Sequence, residues 1–407
     1  MSSHPHLCGR QIQTTHGSTS VRRFSGPTAD ELLLLCRPAD GGASAACQAE
    51  AVYETLLEAL ASEGVGPAAV VADTLFLRRV VEDTQSILDA RRRVLERTHK
   101  QSYRPVTTLI GQPPLCGDGH LEVAAVAVVP RRPELYSATD VRLGLSCSCD
   151  ACKPGARAQG IRLDDETHFR VANVHGVGRG AFEQAYDMFR VAEDLLAQAG
   201  LTFHDVVRTW IYLRDIDRDY DALNKARREF FRHCGIERRP ASTGVQGIPS
   251  SDAHDFSMSL YAVKSSRPLD ATLMSTPTLN EAWTYGAEFS RGLRVVDANK
   301  VALHVSGTAS IDEAGRTVHV GDFAAQVERM LHNIETLLAA QGATFAEVVS
   351  AVTYLKRRGD GPTLRAMFRS RGFGGFPCAL VEAPLCRPEL LCETEVMAVL
   401  PLASRRG

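Results

Sequence analysis

The chain has no surplus of charge of either sign. Its 46 basic and 48 acidic side chains leave a net charge of −2 over 407 residues. No broad basic field therefore draws it to nucleic acid or to an anionic membrane surface. Nor does a basic stripe interleave with aromatics, which make up only 6% of the chain, so a nucleic-acid partner is not expected. No apolar run is long enough to span a bilayer, and no membrane partner is expected. The opening MSSHPHLCGRQIQTTHGSTS lacks the apolar core of a signal peptide. It reads as a flexible tail over residues 1–20 of a cytoplasmic protein. There is no phosphate loop and no dinucleotide fingerprint, and no cofactor is expected. A disulfide framework is not expected either. The 11 cysteines are an odd number, and Cys36, Cys378 and Cys392 stand in apolar runs, as reduced core thiols do. Cys147, Cys149 and Cys152 form the one cluster. Its spacing is irregular and no fourth ligand is evident, so it reads as a linker with three thiols and no metal. What is present is a globular composition, 44% hydrophobic and 23% charged, in a chain long enough for two or three domains.

One pattern occurs three times. An apolar helix stops at a glycine, a short polar turn follows, and a β-branched strand ends on Leu and a basic residue. A second helix comes next. The strands align as VVADTLFLR at 70–78, VVRTWIYLR at 206–214 and VVSAVTYLK at 348–356. Ahead of them apolar residues recur at three and four: Tyr53, Leu56, Leu57 and Leu60; Met188, Val191, Leu195 and Leu196; Met330, Ile334, Leu337 and Leu338. That is the stripe of a helix with one buried face. Gly64, Gly200 and Gly342 stand where a left-handed C-cap would end each helix. The second helix carries Ala-Arg-Arg at 90–92 and 226–228 and is shorter in the third copy, over 362–370. Pro105, Pro240 and Pro377 then open extended runs, and HLEVAAVAVV, DFSMSLYAV and LLCETEVMAVL close the copies as strands. Before the third copy, LRVVDANKVALHVSGTASID reads as a hairpin turning near Asp297–Asn299. Each unit thus predicts an α+β fold with two helices on one face of a mixed sheet. The predicted boundaries are a tail at 1–20, an N-terminal scaffold unit at 21–131, a linker with the cysteine cluster at 132–164, a central unit at 165–265, a linker at 266–282 and a C-terminal unit at 283–402.

The stretch PLCRPELLCETEVMAVLP at 384–401 carries the chemistry. It brings Cys386, Arg387 and Glu393 close together in sequence. As a strand it puts Glu393, Glu395 and Met397 on one face and Cys392, Thr394 and Val396 on the other. A carboxyl on a half-buried strand beside an arginine is suited to moving one proton. A solvated edge residue with a surface partner is the plain alternative.

The element order, with GDFAAQVERMLHNIETLLAAQGATFAEVVSAVTYLK at 321–356, resembles the RidA/YjgF family. That resemblance implies small α+β units arranged as a trimer, with ligand sites in clefts between units. Three units in one chain then favour a monomer that mimics the trimer internally, with a dimer or trimer of chains as the alternative. The family's arginine two residues after the strand-opening proline is replaced here by Thr107, Ser242 and Ala379. None of these can grip a carboxylate by a bidentate fork. From about residue 165 onward the chain is also similar to chorismatases. The carriers are RTWIYLRDIDRDYDALNKARREFFRHCGIERRPASTGVQG, then HVSGTASID and PLCRPELLCETE. It departs from them at YGAEFSRG, 285–292, which lacks a Pro-Arg-Ser insertion, and in having a further unit at the N-terminus.

What the resemblance implies is cleavage of the enolpyruvyl ether of chorismate, with Glu393 as the proton donor. Cys386 stands where the hydroxybenzoate-forming type has a cysteine, so 3-hydroxybenzoate (or 4-hydroxybenzoate) plus pyruvate is expected. Arg208, Arg291 and Arg387 are the candidates for holding the two substrate carboxylates, with Tyr212 and Tyr285 as phenolic donors. Gly307 and Thr308 lie in a run of small residues that lets a ring approach the backbone. Two other readings stay open. One is a binding protein for small carboxylates without turnover. The other is a hydrolase that gives a dihydroxycyclohexadiene acid.

Overall fold

The computed structural model describes residues 6–39, 42–98, 103–144, 147, 149 and 156–403. One unit is repeated three times along the chain. The first holds β1 (Leu7–Gln13), β2 (Gly17–Ser25), β3 (Ala29–Pro38), α1 (Ala45–Ser62), β4 (Val70–Leu77), α2 (Val80–Thr98), β5 (Val106–Gly111) and β6 (Leu121–Pro130). The second holds β7 (Tyr136–Leu143), β8 (Ala156–Leu163), β9 (Glu166–Val174), α3 (Ala181–Gln198), β10 (Val206–Leu213), α4 (Ile216–Cys234), β11 (Ala241–Gln246) and β12 (Phe256–Ser265). The third holds β13 (Asp270–Leu273), β14 (Gly292–Val296), β15 (Val301–Ala309), α5 (Phe323–Ala339), β16 (Val348–Leu355), α6 (Gly361–Ser370), β17 (Cys378–Glu382) and β18 (Cys392–Leu400).

The three six-stranded sheets share one order: β1-β2-β3-β6-β4-β5, β7-β8-β9-β12-β10-β11 and β13-β14-β15-β18-β16-β17. The pairs β4/β5, β10/β11 and β16/β17 are parallel. Each encloses the second helix of its unit, because a parallel pair needs a long crossover. Gly64, Gly200 and Gly342 do close the first helices, with φ of 72, 72 and 74°. Asp215 and Asp322 cap α4 and α5 at their starts by accepting the backbone N–H of Arg218 and Ala325.

The predicted boundaries need correction in three places. Residues 7–20 are not a tail but the strand β1 and part of β2. The supposed linker at 132–164 contains β7 and β8, and that at 266–282 contains β13. The outermost strands β1, β7 and β13 are mostly exposed. Edge strands that bury little carry little apolar alternation, so the sequence pattern does not announce them.

Each unit packs its helices on one face of its own sheet. The opposite faces of the three sheets turn toward one another around a central cavity of about 210 Å³, lined among others by Leu33, Phe76, Arg170, Tyr212, Tyr261, Lys300, His304 and Met397. Contacts between units follow one cyclic rule. The last parallel strand of each unit meets the third sheet strand of the next. β5 bonds to β9 through Asn173, whose side chain accepts Leu109 N–H at 3.1 Å and donates to the Thr107 carbonyl at 2.7 Å. β11 bonds to β15, with Ser242 N–H donated to Ser306 Oγ at 2.9 Å. β17 bonds back to β3, with Arg37 Nη2 donating to the Cys378 carbonyl at 2.9 Å. Three units closed in a ring by equivalent contacts make a pseudo-trimer within one chain.

A buried ion cluster adds to this. Lys300, in the β14–β15 turn, pairs with Glu31 of the first unit and, at 3.2 Å, with Asp297. Lys300 drives the Glu31 carboxyl down to about 2 against the cost of its burial. Among the described residues no helix is long and apolar enough to cross a membrane.

Candidate active site

The ring creates three equivalent junctions, and their chemistry differs. In each unit the second position of the closing strand pairs with an aromatic on the neighbouring strand: Glu122 with Phe76, Ser257 with Tyr212 and Glu393 with Tyr354. The junction at Glu393, between the second and third units, opens a cleft. Its volume is about 530 Å³, within the roughly 300–1,000 Å³ of small-molecule sites. At the Glu122 junction the acid is held by Arg37 Nε at 3.0 Å, an ion pair with the carboxylate 2% exposed. At the remaining junction the position is the buried Ser257.

Glu393 reaches the cleft because β15 bulges beside it. The pairing of β15 with β18 shifts between Val305 and Thr308, which leaves Ser306 and Gly307 to the bulge. A Cβ on Gly307 would lie 1.9 Å from Glu393 Oε1, so only glycine leaves room for that carboxyl. Gly307 N–H donates to Thr243 Oγ1 of β11 at 3.0 Å, and the same hydroxyl accepts Arg208 Nη2 at 2.5 Å. The predicted alternation of β18 is present. Glu393 points to the cleft, and Glu395, two residues on, lines the central cavity. There Glu395 is ion-paired with Arg208 at 2.8 Å and accepts Trp210 Nε1–H at 2.7 Å.

These surroundings push the Glu393 carboxyl up to about 8. Desolvation is the main cause and the charge of Glu395 adds to it, while Arg291 and Arg208 pull the other way. The group is 5% exposed. Burial thus favours the protonated form of this carboxyl.

Around it the lining is cationic. Lys225, Arg227, Arg228, Arg291 and Arg387 face the cleft against two carboxyls, Glu393 and Asp221. The helix α4 supplies Tyr220, Asn224, Arg227 and Arg228. Their spacing of three and four places them on one stripe of the helix. The helix presents that stripe because Leu223, Ala226, Phe230 and Phe231 are drawn into the core beside it. Arg227 is fixed by Asn224 Oδ1 at 2.8 Å. Arg291 donates from Nε to the Asn280 carbonyl at 2.7 Å. Both guanidiniums lie over the Phe289 ring, at 5.6 and 5.8 Å from its centroid. Glu288 ties this loop to the second unit through Arg239 at 2.6 Å and Arg228 at 3.4 Å. Cys386 lines the cleft as a half-buried thiol. Its pKa is raised to about 12, chiefly by desolvation and further by the nearby Glu393, and Tyr220 hydrogen-bonds its sulfur.

Of the residues singled out from the sequence, Glu393, Cys386, Arg291, Gly307 and Arg387 line this cleft together. Arg387 also donates to the Gly315 carbonyl at 2.8 Å. Arg208 and Tyr212 do not line it. They line the central cavity, where Arg208 is taken up by Glu395 and Thr243 and the Tyr212 ring is buried. The placement of these two as substrate clamps is corrected accordingly. Thr308 is buried and donates to the Ser306 carbonyl at 2.9 Å. It supports the bulge and is not part of the lining. The side chain of Tyr285 lies outside the described residues. Missed from the sequence were Tyr220, Asn224, Arg227, Arg228 and Phe289. The Ala-Arg-Arg at 226–228 was visible as a repeat feature, but nothing in the pattern showed that α4 turns those arginines toward another unit.

A family model described as Endoribonuclease L-PSP matches residues 172–252 and 285–400, the second and third units. A chorismatase from Streptomyces rapamycinicus is 29% identical over 254 residues, covering 56% of this chain and 73% of that protein. A chorismatase from Streptomyces hygroscopicus is 27% identical over 215 residues, 47% of this chain and 61% of that protein. A solved chorismatase structure superposes with a TM-score of 0.60 at 17% identity, covering 91% of this chain and 99% of that one. The chain has the chorismatase fold, built from RidA-like units. A superposition that spans 91% of this chain takes in the first unit as well. That unit is thus part of the chorismatase-like architecture and not an addition to it, as the sequence alone had implied.

Proposed function

We propose that the cleft at Glu393 cleaves the enolpyruvyl ether of chorismate and releases pyruvate. One observation carries this reading: a buried carboxyl, held toward its protonated form by desolvation, in a cleft where five cations stand against one further carboxyl, Asp221. Chorismate is a dianion, so a positive field favours its entry and arginine forks suit its carboxylates. Arg227 and Arg291, both over the Phe289 ring, and Arg387, which also lines the cleft, are the groups proposed to bind them. Glu393 gives its proton to the terminal vinyl carbon of the ether, and the adjacent carbon becomes an oxocarbenium-like centre. The carboxylate left behind stabilises that centre in a site with little water.

The outcome depends on which oxygen attacks next. Attack of the ring hydroxyl on the ring carbon that bears the ether breaks that C–O bond, releases pyruvate and leaves an arene oxide, which opens and loses its ring proton to give a hydroxybenzoate, with no water taken up or lost. Attack by solvent gives the dihydroxy acid and consumes one water. Cys386 offers a neutral, weakly polar thiol beside Glu393, a poor anchor for an attacking water. It favours the internal route, and 3-hydroxybenzoate is the product proposed.

The test is incubation with chorismate, with pyruvate followed by coupling to lactate dehydrogenase and the aromatic product identified by chromatography. Pyruvate released by the wild type and lost in Glu393→Gln supports the proposal. Full turnover in Glu393→Gln overturns the mechanism. Thermal stabilisation by chorismate without pyruvate would instead show a binding protein for small carboxylates.

A further inference from the structure

The cysteine cluster read from the sequence as a metal-free linker acquires a partner in the fold. Cys147 and Cys149 lie between β7 and β8. His254 lies 105 residues beyond Cys149, in the turn that leads into β12. The two sulfurs and a His254 ring nitrogen all stand within 4.8 Å of one another. The separation of Cys149 Sγ from His254 Nε2 is 3.4 Å. A tetrahedral zinc with Zn–S of about 2.3 Å and Zn–N of about 2.0–2.1 Å puts its sulfur and nitrogen ligands about 3.6 Å apart. From this we infer that Cys147, Cys149 and His254 form a zinc site on the second unit, remote from the cleft at Glu393.

A second feature points the same way. His254 is 2% exposed, and its Nδ1 lies 3.2 Å from the Gly176 carbonyl. A carbonyl can only accept, so Nδ1 carries the hydrogen and the bare lone pair of Nε2 is the one aimed at the cysteines. Ligating histidines are held in this way, with the other ring nitrogen donating to a carbonyl or carboxylate. The ring is further fixed by His175, stacked on it at 4.5 Å and 11° and itself donating to the Phe256 carbonyl at 2.9 Å. The backbone N–H of Cys149 approaches Cys147 Sγ at 3.5 Å, as donors do that stabilise a thiolate. The described residues supply three of the four donors of a tetrahedral ion. None of them lines the cleft, so the role is structural: the ion would clip the β7–β8 connection to the start of β12.

The experiment uses the full chain purified under reducing conditions and analysed for metal by mass spectrometry. The expected result is about one zinc per chain. After chelation, cobalt(II) should bind in its place and give the thiolate charge-transfer band and intense visible bands of a tetrahedral site. His254→Ala and Cys149→Ser should weaken cobalt binding on the order of 100-fold or more. Cys47→Ser, an exposed thiol on α1, should bind as the wild type does. Circular dichroism of each variant separates metal loss from failure to fold. The wild-type titration decides the matter even where a variant does not fold. A chelated wild type that takes up neither zinc nor cobalt overturns the inference. So does a His254→Ala chain that binds as tightly as the wild type, or a Cys147–Cys149 disulfide found by mass in metal-free protein.

Discussion

Replacing Gly307 with alanine adds one methyl group and should remove most of the activity. Gly307 does not have the positive φ that would bar a side chain, so the backbone accepts alanine. The added Cβ would meet Glu393 Oε1 at 1.9 Å and its Cδ at 2.9 Å. To restore ordinary contact the oxygen must retreat to about 3.4 Å. A proton donor displaced by more than about 1 Å loses on the order of 100-fold in rate. The expected result is a roughly 100-fold fall in kcat for pyruvate release with little change in KM, because the arginines that grip the carboxylates stay in place. The overpacking should cost about 1–3 kcal/mol of stability. A Glu393→Asp background gives the internal control. Aspartate is shorter by one methylene and withdraws from the new methyl group, so Gly307→Ala should cost far less there than in the wild type. Wild-type turnover in Gly307→Ala, or equal losses in both backgrounds, would refute the assignment of Glu393 as the acid.

The acid role also fixes a pH dependence. With Glu393 raised to about 8, kcat/KM should hold at lower pH and fall tenfold per unit above about pH 8. The same group sets a stability slope. Its folded value of about 8 exceeds its ordinary 4.5, so between these the folded state holds the extra proton. Stability from this group is fully present below about pH 4.5 and is lost as pH rises toward 8, by an amount on the order of a few kcal/mol. Glu393→Gln should flatten that slope in thermal melts while abolishing turnover. Glu395→Gln removes a charge that holds Glu393 up, and should move the alkaline limb of the rate profile to lower pH. It also leaves Arg208 buried without its ion pair, at a cost of about 3–5 kcal/mol measured by denaturant titration. Glu122→Gln breaks the buried pair with Arg37 and should lower the melting temperature without changing kcat. A loss of turnover there would place the chemistry at the wrong junction. Cys386→Ala should raise the share of dihydroxy acid among the chromatographed products, with little change in KM.

Much of the architecture is written locally. The three strand copies, the apolar helix stripes and the glycines at 64, 200 and 342 each depend on neighbours only a few residues away, and the structure contains all of them. That Glu393 and Glu395 share one face was legible for the same reason, since the alternation along β18 is a property of one strand. The edge strands β1, β7 and β13 were not, because exposed strands need no apolar pattern. Arg208 and Tyr212 were misplaced because nearly every residue of β10 is buried. Its sequence has no polar face to tell the cleft from the central cavity.

What the tertiary structure alone decided lies between units. The ring closure makes one junction a cleft and leaves the equivalent acid Glu122 locked to Arg37. It turns the arginines of α4 toward β18 and lifts Glu393 by desolvation. Within the second unit, the fold likewise carries His254 to Cys149 across 105 residues. Periodicity reports which side of an element is buried. It carries no record of which distant element buries it, and the charge state of a carboxyl depends on that second fact.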